Sequence, residues 1–277
     1  MKQNTFKYNN ELRVIDTQEK AYLLGFMYGD GTITTYKEKN GRIRHLTKIS
    51  ISIEDQDLIL LIKKHFPFFN LGDFDYGKYN ENCGKQISVA RSSKELYNDL
   101  LLNGVYPRKS YENKDKLHMP NINPDLISHF IRGFFDADGT VYVPVQRPNL
   151  LSFGFCSVAK DFIYEIDSYL KALNIDSWKV KENHPSKGRQ TCYELIYNKT
   201  SEILKLIDFM YKDANISLKR KADKCLNYVP VNKVLDRNMT CGSCGSHQIK
   251  QNGTRGNSTR YKCCVCKKSF SLKNTFN

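Results

Sequence analysis

The hydrophobic pattern of roughly the first 230 residues occurs twice. Residues 21–33 read AYLLGFMYGDGTI and residues 129–141 read HFIRGFFDADGTV. With Gly25 set against Gly133, Asp30 falls on Asp138, Gly31 on Gly139 and Thr32 on Thr140, an offset of 108 residues. The segments downstream of each copy correspond too. After the first come TITTY, RIRHLTKISISI and DLILLIKKHF; after the second come TVYVPV, LLSFGFCSV and DFIYEIDSYLKAL. Alternating runs predict strands, and apolar residues three and four apart predict helices. Later in each copy stand a strand-like segment, KQISVARSS or CYELIYNKT, and a helix-like one, SKELYNDLLL or SEILKLIDFMY. Each copy closes on a basic pair, Arg108-Lys109 or Arg220-Lys221. One unit is therefore helix, two strands, helix, two strands, helix. Two such units are expected in tandem, residues 1–116 and 117–232, linked through the Asn-, Lys- and Pro-rich stretch 112–124, with residues 233–277 as a third segment.

Each repeated motif reads as the end of a helix. Asp16 and Glu19 have capping-box spacing before the first, and Asn123-Pro124 supplies a cap and first turn before the second. Gly31 and Gly139 are expected to stop the helices in the left-handed conformation. Gly25 and Gly29 are spaced i, i+4, as are Gly133 and Ala137, so each pair shares a helical face. Mid-helix glycine costs up to roughly 1 kcal/mol relative to alanine. Small residues twice, at matching positions, point to one cause: the two helices pack backbone to backbone about a pseudo-twofold axis. Asp30 and Asp138 then stand side by side where helix C-termini already carry partial negative charge. Such carboxylates repel each other unless a cation lies between them. Oxygen ligands of this kind suit Mg²⁺, and beside a phosphodiester they make a site for metal-assisted hydrolysis. An EF-hand is excluded, because GTVYVPVQR after Asp138 lacks the further oxygen ligands and the closing glutamate.

Charge names the partner class. Among 277 residues, 43 Lys+Arg against 29 Asp+Glu leave a net charge of +14, which suits a polyanion, with nucleic acid foremost. In GRIRHLTKISISI, Arg42, Arg44, Lys48, Ser50 and Ser52 share one parity and Ile43, Ile49, Ile51 and Ile53 the other. Period-two alternation turns the isoleucines toward the helices and the polar set outward, where a curved sheet can enter a major groove. Lys179 and Lys181, flanking Val180, repeat the arrangement. No apolar stretch reaches membrane-spanning length, and the opening MKQNTFKYNNELRV lacks the apolar run of a secretory signal, so an intracellular protein without membrane contact is expected.

Nine cysteines in that setting read as thiols or metal ligands rather than disulfides. Cys241-x₂-Cys244 and Cys263-x₂-Cys266, with 18 residues between, have the spacing of a zinc ribbon, with a hairpin between the knuckles. A rubredoxin-like iron centre uses the same ligands, and His247 and Cys264 are alternative donors. Arg255 and Arg260 belong to a basic set in residues 238–277, which contain no acidic residue and offer a DNA-contacting surface. Cys83, Cys156, Cys192 and Cys225 are scattered singly and carry no assigned chemistry.

LLGFMYGDG (23–31) and IRGFFDADG (131–139) resemble the nine-residue signature of the LAGLIDADG homing endonucleases in their monomeric two-motif form, over about residues 15 to 230. The resemblance implies an α+β fold: two pseudo-twofold repeats forming a DNA-binding β-saddle, plus the ribbon. It implies Asp30 and Asp138 as Mg²⁺ ligands, helped by the backbone carbonyls of Gly29 and Ala137. Lys109 and Lys221 would polarise water or phosphate, with Arg108, Lys219 and Arg220 as alternatives. Tyr28 stands at the sixth position of the first motif and Asp136 at that of the second, so Asp136 is not expected to be essential in the way the metal ligands are. The ribbon segment NGTRGNSTRYKCCVCKKSF is similar to small zinc ribbons at the ends of transposase-type proteins. The implied activity is a monomeric, site-specific, Mg²⁺-dependent double-strand DNA endonuclease of a mobile element. The alternatives are an intron maturase that binds RNA and a DNA-binding regulator without chemistry.

Overall fold

A computed structural model describes residues 6–75, 84–143, 150–185, 190–228, 239–246, 249–256, 258–263 and 265–273. The chain divides into two compact units, Met1–Tyr228 and Val229–Asn277. In the first unit the order is α1 (Gln18–Gly29), β1 (Gly31–Lys37), β2 (Ile43–Ser52), α2 (Gln56–His65), β3 (Asn70–Asp75), β4 (Lys85–Ser92) and α3 (Lys94–Leu102). It then repeats as α4 (Ile127–Asp138), β5 (Gly139–Tyr142), β6 (Ser152–Ser157), α5 (Lys160–Ala172), β7 (Lys179–Asn183), β8 (Cys192–Tyr197) and α6 (Thr200–Tyr211), with α7 (Lys219–Leu226) after it. The two antiparallel sheets have the same topology, β1-β2-β4-β3 and β5-β6-β8-β7.

Helices α1 and α4 pack on each other at the small-residue faces. A Cβ on Gly25 would lie 1.9 Å from the Phe130 carbonyl oxygen, and one on Gly133 would lie 2.0 Å from that of Tyr22. A Cβ on Gly29 would meet the Ala137 Cβ at 2.4 Å. No larger side chain fits either crossing, which is the reason for mid-helix glycine. Around this pair the core is aromatic: Phe135 stacks on Phe153 with ring centroids 4.1 Å apart, and Phe134 packs edge-on to Phe162 at 4.9 Å. Strand β2 alternates as its pattern predicts in its second half, where Ile49 and Ile51 are buried. Ile43 departs from it and is exposed, at the end of the β1–β2 hairpin that extends beyond the pairing of β2 with β4.

The helix ends differ from the sequence expectation. Thr17, not Asp16, caps α1, its hydroxyl accepting from the Lys20 amide at 3.3 Å, while Asp16 pairs with the Lys20 side chain at 2.7 Å. Asn123 caps a single 3₁₀ turn, Pro124–Leu126, that leads into α4. Neither Gly31 nor Gly139 has positive φ. They are glycine for space: a Cβ would lie 2.5 Å from the Met27 Cα and 2.1 Å from the Phe135 ring. The stretch 112–124 is docked rather than free, with Leu117 buried and the Met119 amide donating to Glu165 of α5 at 2.6 Å.

The second unit is a three-stranded antiparallel sheet, β9 (Ile249–Arg255), β10 (Ser258–Cys263) and β11 (Ser269–Lys273), in the order β11-β10-β9. Its small core is Cys241, Ile249 and Cys263 with Tyr261 stacked on Phe270. No helix among the described residues is long and apolar enough to cross a membrane.

Candidate metal centre and nucleic-acid interface

The crossing of α1 and α4 brings the two motif aspartates together. A Cβ on Gly29, the residue before Asp30, would lie 3.1 Å from the Asp138 Oδ2. Each carboxylate ends its helix at the first strand of its sheet, so both sit at the junction of the two sheets. Burial raises the pKa of Asp30, against the opposing field of Lys221 and Lys109. Burial and then the charge of Asp30 push Asp138 up to about 6. Two carboxylates held in each other's field are the donor set a hard divalent cation neutralises. Gly29 and Ala137, the residues that precede the two aspartates, face each other across the crossing.

The two lysines occupy unlike places. Lys109 comes after a turn in which Arg108 has φ 50°; its ammonium touches the Gly31 carbonyl and it lines a cleft of about 560 Å³ with Thr32, Thr34, Tyr106 and Tyr111. Burial lowers its pKa, while Asp138 and Asp30 act in the opposite sense. Lys221 lies on α7, which has no counterpart in the first repeat. It is 4% exposed, and its Nζ donates to the carbonyls of Gly139, Phe135 and Asp136 at 2.6, 2.7 and 2.8 Å. Burial brings it down to about 8. Of the alternative bases, Arg220 is held by Asp55 at 2.9 and 3.0 Å, joining the second repeat to the start of α2, and Arg108 pairs with Glu112.

The outer faces of the sheets carry the polar sets. Lys48 lies opposite Thr32 and Ala90. Arg42 is exposed in the hairpin turn, and Arg44 donates to Glu38 at 2.8 Å. In the second sheet Lys179 and Lys181 face outward from β7, the ammonium of Lys179 lying 4.2 Å from the Trp178 ring centroid. On the same face Cys156 of β6 and Cys192 of β8 form a disulfide. This corrects the reading of those two as isolated thiols: diagonal positions on neighbouring strands bring together residues 36 apart in sequence. Cys225 is a buried free thiol, and Cys83 lies outside the described residues.

In the second unit Cys241, Cys244, Cys263 and Cys266 place their sulfurs within 4.8 Å of one another. Cys241–Cys266 and Cys244–Cys263 are each 3.6 Å apart. Four sulfurs at zinc–thiolate distance on a tetrahedron are about 3.8 Å apart, so the set fits that ion. Backbone amides of Cys266 and Val265 hold the Cys263 thiol down at about 6, favouring the thiolate that binds metal. The alternative donors His247 and Cys264 lie outside the described residues. Arg255 and Arg260 are exposed on the sheet.

Sequence reasoning missed the buried polar set behind the second motif. Arg132 is fully buried, donating to the carbonyls of Ile216 and Met210, and Asp136 accepts from the Tyr22 hydroxyl and the Leu218 amide. The available signal was an arginine and an aspartate, four apart, on the face of an otherwise apolar helix.

Residues 125–205 match the family model described as LAGLIDADG-like domain. A DNA polymerase of Acanthamoeba polyphaga mimivirus is 27% identical over 134 residues, which are 45% of this chain and 7% of that protein. Among solved structures, the LAGLIDADG meganuclease I-AabMI bound to uncleaved DNA is 16% identical, with a TM-score of 0.48 over 75% of this chain and 87% of its own. The I-LtrWI LAGLIDADG homing endonuclease bound to target DNA is 14% identical, with a TM-score of 0.49 over 79% and 90%. I-DmoI in complex with DNA and Ca is 16% identical, with a TM-score of 0.48 over 74% and 95%. The matched stretch begins just before α4, the helix that packs on α1 at the small-residue faces.

Proposed function

We propose that this protein is a divalent-cation-dependent endonuclease that cuts both strands of a double-stranded DNA at a long, non-palindromic site. The observation that carries the reading is the meeting of Asp30 and Asp138 at the base of the α1–α4 crossing, each at the first strand of its own sheet. Paired sheets with outward Lys48, Lys179 and Lys181 supply a surface of the right charge for phosphate and base-edge contacts. Pseudo-symmetric halves of different sequence read different half-sites, so strict palindromy is not required.

Asp30 and Asp138 would hold Mg²⁺, with the backbone of Gly29 and Ala137 alongside. A bound divalent ion there would acidify water and stabilise charge on the attacking and leaving oxygens of an in-line displacement at phosphorus. Lys109, which borders an open cleft, and Lys221 would polarise the phosphate or the nucleophilic water; the cleft favours Lys109 for direct contact. The four thiolates of the second unit would hold Zn²⁺ as a structural ion, with a closed coordination shell.

The test is cleavage of a plasmid library carrying randomised or flanking genomic DNA with Mg²⁺ present, run beside Asp30→Asn and Asp138→Asn. The parent should yield linear DNA from one class of insert, and each variant should lose at least about a hundredfold in rate while still binding that insert. A parent that binds duplex DNA but never cuts it would instead make this a regulator. Tight binding of structured RNA without DNA cleavage would make it a maturase.

A further inference from the structure

The last turn of α4 is held from the core side by the buried side chains of Asp136 and Arg132. Asp136 is 1% exposed. Its Oδ2 accepts from the Tyr22 hydroxyl of α1 at 2.8 Å and from the Leu218 amide, at the N-terminus of α7, at 2.6 Å. Arg132, one turn earlier, donates Nε to the Ile216 carbonyl at 2.9 Å and Nη1 to that of Met210 at 2.6 Å, and its guanidinium lies 5.4 Å from the Tyr22 ring centroid. Side chains of α4 therefore fix both ends of the α6–α7 connection. Helix α7 returns Lys221 to the carbonyls of Phe135, Asp136 and Gly139, on either side of Asp138. The circuit is closed: Asp136 places the start of α7, and Lys221 of α7 places the backbone that carries Asp138.

The first repeat lacks this circuit. At the offset of 108 residues, Tyr28 stands for Asp136 and Leu24 for Arg132. The Tyr28 hydroxyl donates to the Asn103 carbonyl at 3.0 Å, and among the described residues Lys109 donates to the Gly31 carbonyl alone. A buried carboxylate whose Oδ1 has no partner among the described residues is expensive to keep, and the first repeat shows that an aromatic residue fills the equivalent position. Fold maintenance alone does not call for an acid here.

The geometry points to Asp136 as a positioning residue that, through Leu218 and Lys221, sets the place of Asp138 and so the competence of one of the two strand-cutting centres. This rests on the two-strand endonuclease reading above. Asp136 is buried and bonded to Tyr22 and Leu218 on the core side, so its loss should unbalance the two strands rather than weaken binding.

The experiment uses the full chain and a supercoiled plasmid bearing a cleavable insert, with Asp136→Leu, Asp136→Asn and Tyr22→Phe. In Asp136→Leu one strand should slow at least about tenfold relative to the other, so nicked circles accumulate, while DNA affinity stays within about twofold. The Leu218 amide should exchange with solvent at least about tenfold faster. Asp136→Asn keeps an acceptor oxygen and should return both strands to within about threefold of the parent. A folded Asp136→Leu protein that linearises the plasmid at the parental rate would overturn the assignment, as would one that slows both strands equally. If Asp136→Leu does not fold, Tyr22→Phe decides: it should raise the nicked fraction and the Leu218 exchange rate, and no change in either overturns the proposal. A parent that cuts no DNA defeats the endonuclease reading. Leu218 exchange then still decides the latch, since parental protection in both Asp136→Leu and Tyr22→Phe would overturn it.

Discussion

At the scale of single residues, the site is governed by four ionisable groups in one another's field. Asp138 has its pKa raised to about 6, by burial first and by Asp30 second. A carboxyl raised in the folded state binds its proton more tightly there than in the unfolded chain. Stability without metal should therefore fall as pH rises from about 4 to about 6, then level off. Asp136, raised to about 6 by burial, acts in the same sense. A divalent cation reverses the penalty only where Asp138 is ionised. Thermal melts with Ca²⁺ should show a clear rise in Tm at about pH 8 and little at about pH 5. An equal rise at both pH values, or one retained in Asp138→Asn, would contradict the assignment. Lys221 acts at the other end of the scale. Lowered by burial to about 8, it binds its proton less tightly in the folded state, so stability should rise from about pH 8 toward 10. Asp30 and Asp138 were legible because the motif occurs twice. The partners of Lys221 were not, because backbone carbonyls at a helix end leave no pattern in a side-chain sequence.

At the scale of elements, the α1–α4 crossing is the joint on which the rest is hung. Alanine at Gly25 or Gly133 gains up to about 1 kcal/mol in helix propensity but drives a methyl group into a backbone carbonyl. Cβ positions 1.9 and 2.0 Å from those oxygens cannot be relieved by a rotamer change, so the helices must part. Either substitution should cost a net ~2 kcal/mol or more, read as a lower urea midpoint. Gly84→Ala, where the added carbon meets nothing within 4 Å, is the control and should leave the midpoint unchanged. The small-residue spacing made this crossing legible. It did not reveal why Gly31 and Gly139 are glycine, since a turn conformation and a steric limit leave the same letter in the sequence. The strand segments were legible wherever one face is buried, as at Ile49 and Ile51. The pattern failed at Ile43, where the hairpin extends beyond the pairing of β2 with β4. The Cys156–Cys192 disulfide depends on which strands lie adjacent, and that order is set by the sheet rather than by either segment.

At the scale of the whole molecule, charge is unevenly placed, and this separates binding from chemistry. Residues 238–277 contain seven lysines and arginines and no acid, whereas the carboxylates and the candidate catalytic lysine all lie in the first unit. Within the ribbon the basic residues segregate by strand parity. Arg260 and Lys262 share one face of β10, paired with Ser271 and Ser269 of β11, while Tyr261 lies on the other, stacked on Phe270. Lys250 of β9 pairs with Lys262, and Arg255 pairs with Ser258, so both extend the basic face. A face of this kind contacts phosphates without reading bases, and each contact releases counterions from the duplex. A chain ending at residue 237 should therefore bind long target DNA about tenfold or more weaker near physiological salt, with a shallower dependence of affinity on salt. Its single-turnover cleavage rate at saturating protein should stay within about threefold of the full chain, because Asp30, Asp138, Lys109 and Lys221 all lie in the first unit. Removing the ribbon's metal with a chelator, then restoring it with Zn²⁺, should reproduce and reverse the loss of affinity in the full chain. In the truncated chain the same treatment should do nothing. The salt slope is the discriminating measurement: an unchanged slope would mean that the ribbon's cations do not touch DNA, whatever truncation does to affinity.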